Sequence, residues 1–160
     1  MKDGLNIIDC DLHVIEDGDL FAKYLDPKFH RQMPEYLGWG PTNFPHWDVG
    51  GQMIPPWARD GAVVGPQKAL DAPSEDIYAP IRERNYDAAS TVAAMDVEGI
   101  DEAVMFRTFA SMFLSIDSLA GDVAGAYSAA FNHWLAAYCA AHAARLRPAA
   151  IVSLHDPELA

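Results

Sequence analysis

The sequence predicts an α/β fold: three parallel strands with crossover helices and a long irregular insertion after strand one. Three observations predict it. An apolar strand stands near the start, in "LNIIDC". Two helix–turn–strand segments follow one another between residues 87 and 154. Between them, residues 14–86 gather nine of the 11 prolines and seven of the 11 glycines, a composition that breaks regular elements. Strand, helix, strand, helix, strand implies parallel pairing through right-handed crossovers.

The first strand is read as Leu5 to Cys10. The insertion, Val14 to Tyr86, has three of the four tryptophans. Its aromatics, among them Trp39, Phe44, Trp47, Trp57 and Tyr78, argue for a packed excursion rather than disorder. One short helix is expected near "DGDLFAKYL", and long ordered loops of this kind tend to be lids or binding loops. Asp87 then reads as the N-cap of a helix with Ala88, Thr91, Val92 and Met95 on one face. Gly99 suits the left-handed position that ends it. "EAVMFRTF", Glu102 to Phe109, is the second strand. A long helix follows from about Asp117 to Arg145. Leu119, Val123, Tyr127, Ala130 or Phe131, Trp134, Tyr138 and Ala141 or His142 trace its apolar face. Arg145 and Arg147 lie where cations complement a helix C-terminus. "PAAIVSL", Pro148 to Leu154, reads as a third strand covered on both faces. "HDPEL" then carries a helix-start signal: Asp156 as N-cap, Pro157 at the first position, Glu158 in the first turn. A three-stranded parallel sheet with open edges is a poor stopping point. Two readings follow: a short terminal turn, or, as expected here, the front part of a larger α/β protein truncated at its C-terminal side.

The first strand turns acidic as it ends: Asp9, Asp11, His13, Glu16 and Asp17 fall within nine residues. Strand alternation puts Asp9, Asp11 and His13 on one face and Ile8, Cys10 and Leu12 on the other. Three polar groups on one face belong at the C-terminal mouth of a parallel sheet, where α/β enzymes place their chemistry. An Asp oxygen and a His nitrogen two residues apart can reach one divalent cation, though most metal sites need three or four protein ligands. A hydrogen-bonded surface turn explains the same spacing without metal. Glu16, at a loop start, is expected to be solvated.

Net charge and cysteine usage narrow the setting. With 23 acids against 11 Lys and Arg, the formal charge is -12. That argues against a nucleic-acid surface, which needs a basic patch. No apolar run approaches a membrane span of about 20 residues, and no signal peptide is evident. Cys10 and Cys139 form no spacing motif and read as buried free thiols of a reducing, cytoplasmic compartment. No phosphate-loop, dinucleotide or nucleophile-elbow motif is present, and "DVGGQM" lacks the strand and helix that a phosphate loop needs. His30 and His46 are expected to be exposed or hydrogen-bonded. His133 and His142 read as ordinary helix residues, and His155 as a strand-end residue.

"IIDCDLHVIED" resembles the opening of the amidohydrolase-related family that includes aminocarboxymuconate-semialdehyde decarboxylase and the resorcylate decarboxylases. Its bacterial members often begin with D-x-D-x-H-x-x-E, matched by Asp9, Asp11, His13 and Glu16. "AAMDVEGIDEAVMF" resembles the family's helix–turn–strand segment, and "AAFNHWLAAYCAAHAARLRPAAIVSLHDPELA" its long helix and third strand. Relatives often carry Pro where Arg107 stands. The resemblance implies a distorted TIM-like (β/α)8 barrel with a divalent metal, zinc first and manganese second, at its C-terminal mouth. It implies Asp11 and His13 as two of the ligands, the remaining His and Asp coming from strands beyond this chain. Glu16 is the catalytic candidate, beside the metal ligands or on the substrate side. The implied activity is hydrolysis or decarboxylation of a small, aromatic or unsaturated carboxylic acid. The aromatics of the insertion would either wall that substrate or pack the excursion. The competing expectation is an inactive truncated chain or assembly module whose open sheet edge favours association, including a homo-oligomer.

Overall fold

The computed structural model describes residues 4–39, 45–55, 83, 84 and 86–158. The expectations on Phe44, Trp57 and Tyr78 lie outside them. The chain divides into two compact units. The first comprises Met1–Ile15, Pro73–Thr108 and Trp134–Ala150, and the second Glu16–Ala72, Phe109–His133 and Ile151–Ala160.

The first unit carries the parallel sheet. Its strands are β1 (Ile8–His13), β5 (Glu102–Phe106) and β6 (Leu146–Pro148), in the order β1-β5-β6. Both pairings are parallel, as the element order requires. The central strand is the buried one: Ala103 and Met105 are fully enclosed. Helix α2 (Ala88–Glu98) leads into β5. Asp87 caps it as expected, its carboxylate accepting the Ser90 N–H at 2.7 Å and pairing with Arg84 at 2.8 Å. The Ser90 N–H is the main reason that the Asp87 carboxyl is held below the usual range, with Arg84 assisting. The cap therefore stabilises α2 at neutral pH, and that contribution is lost as acid protonates Asp87. Gly99 ends the helix at φ +78°, a left-handed conformation that favours glycine. Of the expected apolar face only Met95 is buried.

Three expectations in this unit are corrected. The first strand runs Ile8–His13, not Leu5 to Cys10, so the polar run is itself strand. The second stops at Phe106, three residues before the expected end. The third is Leu146–Pro148, not Pro148 to Leu154. The last bond to β5 is the Ala149 N–H to the Met105 carbonyl at 3.1 Å, and beyond it the Asn132 side chain holds both the N–H and the C=O of Ile151 at 2.9 Å. Val152 and Leu154 are exposed rather than covered on both faces.

The long helix, α4, spans Gly121–Ala140, shorter than expected at both ends. Val123, Tyr127, Ala130, Phe131 and Trp134 are buried as the periodicity predicts, joined by Ala124, Leu135 and Cys139. Burial pushes the Cys139 thiol up to about 11, which keeps it inert. Both arginines lie past the end of α4. Arg147 binds Glu102 and the carbonyls of Ala143 and Ala144. Arg145 closes the turn after α2: it donates to the carbonyls of Ile100 at 2.6 Å and Asp101 at 2.9 Å and pairs with Asp96 at 2.6 Å. Arg145→Ala is therefore expected to cost about 2 kcal/mol, because charge-assisted bonds to half-buried carbonyls are lost. Urea unfolding measures this, and a loss indistinguishable from zero would contradict it.

The second unit holds the described part of the insertion. The short helix expected near "DGDLFAKYL" is α1 (Leu20–Tyr24), followed by a 3₁₀ turn at Pro27–Gln32. The sequence reading missed an antiparallel sheet made by β2 (Glu35–Trp39), β3 (Pro45–Val49) and β4 (Gln52–Ile54). Val49 pairs with Gln52 across a two-residue loop, Gly50-Gly51, with φ +59° and +88°. Two consecutive left-handed residues make the turn whose twist matches a hairpin, and glycine adopts it without strain. "DVGGQM" is thus a hairpin turn. The core of this unit is aromatic: Phe21, Trp47, Phe109, Phe113 and Tyr127 are buried, with ring centroids 5.1–6.5 Å apart. The short helix α3 (Ala110–Phe113) supplies Phe113. The Tyr127 hydroxyl donates to the Gln32 carbonyl, and burial pushes its pKa to about 12.

Candidate metal centre

The site is built by a fault in strand alternation. Along β1, Asp9 stands opposite Ala103, but Leu12 already stands opposite Met105, so β1 has one extra residue over this stretch. The Asp9 carboxylate accepts the Asp11 N–H at 2.8 Å, a local bond that competes with the ladder. The bulge breaks the expected one-face set. Asp9 and Leu12 are half-buried, whereas Ile8, Cys10, Asp11 and His13 are exposed. Cys10 is accordingly not the buried thiol expected of it. Bulges re-aim side chains near functional sites, and this one leaves Asp11 and His13 together on the exposed side.

His13 Nε2 lies 3.2 Å from Asp11 Oδ1. His13 Nδ1 lies 2.6 Å from the Arg107 carbonyl oxygen. That carbonyl can only accept, so Nδ1 carries the proton and donates. The neutral ring then turns a lone pair at Nε2 toward a carboxylate oxygen. Two acceptors at 3.2 Å need a positive charge between them, either a second proton on the ring or a metal ion. The separation suits a metal: two ligands about 2.0–2.1 Å from a tetrahedral zinc are about 3.3 Å apart. A ligating histidine normally donates its other N–H to a carbonyl or carboxylate, which fixes tautomer and orientation. The Arg107 carbonyl does that here. Both side chains are reachable from solvent, with 47% and 84% of their surfaces exposed. Among the described residues no group of three or more His, Cys, Asp or Glu side chains is placed to hold a metal. The pair is half a site.

The strand exits around it are tied. The Val14 N–H donates to the Phe106 carbonyl at 2.8 Å, and the Thr108 hydroxyl to the Val14 carbonyl at 2.5 Å. Glu16, in the second unit, is not solvated as expected. It is 3% exposed, and its Oε1 accepts the N–H groups of Phe109 and Ala110, each at 2.9 Å. These hold the start of α3. Thr108 was not singled out by sequence reasoning, since a lone Thr after a strand carries no signal.

Two of the other histidines have described side-chain partners. His155 Nε2 contacts the Ile116 carbonyl at 3.1 Å and its Nδ1 the Ser153 hydroxyl at 3.2 Å, so both ring nitrogens are engaged. His30 contacts the Leu25 carbonyl at 3.1 Å, His46 is buried and His133 is exposed. Asp156 accepts the Glu158 N–H at 3.0 Å, the bond expected of a cap.

No protein-family model matches the chain, and no curated protein matches it. Solved structures do. An amidohydrolase from Mycobacterium avium subsp. paratuberculosis K-10 superposes with a TM-score of 0.64 at 23% identity, over 97% of this chain and 44% of that one. The likeness is one of fold: a mixed α/β arrangement around three parallel strands, compatible with part of an amidohydrolase. This chain spans less than half of that neighbour's length. No described helix is long and apolar enough to cross a membrane.

Proposed function

We propose that the chain is part of a metal-dependent amidohydrolase-type enzyme, a hydrolase or carboxy-lyase acting on a small carboxylic acid. Asp11 and His13 hold the metal, zinc before manganese. The single observation that carries this is the 3.2 Å approach of His13 Nε2 to Asp11 Oδ1, with Nδ1 held by a carbonyl. The fold shared with an amidohydrolase supports it. In this reading the three parallel strands are part of a (β/α)8 barrel, and the remaining ligands come from strands outside this chain. The metal would polarise a substrate oxygen or activate water. His13 is pre-oriented by Arg107, and Asp11 is released from the ladder by the bulge. Glu16 acts as a positioning residue, since its buried oxygen serves two backbone donors.

A second reading is favoured by the absence of a third ligand among the described residues. The isolated chain is then an inactive portion or an assembly module, with the exposed Ile8 on β1 as contact surface. Zinc titration of the chain and of Asp11→Ala separates the readings. The enzyme reading expects a saturable site that weakens at least about tenfold in the variant, since ligand loss costs more than the 10–100-fold typical of an outer partner. Equal affinity in both proteins would remove Asp11 from the site.

A further inference from the structure

We propose that Arg107 anchors a carboxylate of the substrate, an inference that rests on the metal reading above and names the residue selecting an acid. Arg107 follows Phe106, whose Cα is the β-ladder partner of His13. Its carbonyl oxygen receives the His13 Nδ1–H at 2.6 Å, so its backbone is in direct contact with the candidate ligand. The residue is half-buried, and its guanidinium makes no hydrogen bond or ion pair with the described residues.

That isolation is unusual in this molecule. Seven Lys and Arg residues are described, and five of them are ion-paired. The other exception, Arg31, is exposed on the 3₁₀ turn of the second unit. Acids outnumber Lys and Arg by 23 to 11. Yet the two acids of β1 are engaged elsewhere, Asp9 with the Asp11 N–H and Asp11 with His13. A metal ion at the pair would add positive charge close to the Arg107 backbone, and the Arg107 guanidinium has no acidic partner among the described residues. An organic carboxylate satisfies both, accepting two parallel N–H bonds from the arginine fork while the rest of the molecule reaches the metal. A neutral substrate leaves the guanidinium unpaired.

The test uses the 160-residue chain and two probes, benzoate and its uncharged counterpart benzamide, titrated calorimetrically with and without zinc. Arg107→Gln, which keeps the backbone carbonyl that faces His13 Nδ1, is expected to weaken benzoate about tenfold, as loss of a charge-assisted pair would, while benzamide binding changes far less. Its side chain has no partners to lose, and far-UV circular dichroism confirms folding. Equal benzoate affinity in parent and variant overturns the proposal, as does a parent that binds no benzoate in either state. The Asp11→Ala/His13→Ala double variant keeps the two readings apart. If it retains the parent's zinc affinity, the metal assignment fails, whereas benzoate loss in Arg107→Gln without zinc still upholds the anion site.

Discussion

Glu16→Ala is expected to lower the unfolding free energy by about 3 kcal/mol. Each of the two N–H groups that it serves, on the buried residues Phe109 and Ala110, loses its side-chain acceptor, and a buried unsatisfied donor costs about 1–3 kcal/mol. Glu16→Gln keeps a carbonyl oxygen that can accept the same bonds, so about 1 kcal/mol is expected from it. Urea unfolding of the three proteins measures both. A Glu16→Ala midpoint equal to the parent's would show that Glu16 does not hold the start of α3. The pair also sorts Glu16's role. A residue that holds the start of α3 is rescued by Gln in stability; a group that moves protons at a substrate is rescued in neither turnover nor its pH profile.

Phe113→Ala is expected to have the largest effect, about 3–5 kcal/mol, the range for deleting a buried aromatic side chain. Phe113 is 1% exposed and meets Phe21 edge-on at 5.1 Å and Trp47 at 5.4 Å. Phe113→Leu should cost less than half as much, since it keeps most of the apolar volume. Thermal melting distinguishes the two, and similar losses would mean that ring contacts, not volume, dominate. This cluster also decides the role of the insertion's aromatics where they are described: Trp47 is 1% exposed and packs inside, so it forms no open aromatic wall.

What could be read from the sequence followed signals that act locally. Asp87 and Gly99 marked the two ends of α2 because a capping carboxylate and a left-handed glycine each work within one turn. The parallel order β1-β5-β6 followed from the alternation of elements. What escaped depended on distant partners. Nothing local to "PAAIVSL" says that Asn132 will take the backbone groups of Ile151. Arg145 looked like a helix-end cation, and only the fold brings it to Ile100 and Asp101. The hairpin at Gly50-Gly51 was legible and went unread, because the proline and glycine content of the whole insertion outweighed a two-glycine turn between Val49 and Gln52. At the site, the pair Asp11 and His13 was visible as a spacing. The bulge that exposes it, and the Arg107 carbonyl that sets the ring's tautomer, were not. Glu16 shows the same limit: a loop-start carboxylate reads as solvated until two backbone donors 93 and 94 residues away enclose it.

The measurement that bears most directly on the metal assignment is zinc binding by the purified chain beside its Asp11→Ala/His13→Ala double variant, by elemental analysis and calorimetric titration. One saturable equivalent in the parent and little in the variant is the predicted result. It would make β1 the mount of a metal site, completed by water or by ligands from another chain. Equal binding by both proteins would contradict it. His13 and Asp11 would then be a surface ion pair, with a second proton on the ring as the positive charge between them.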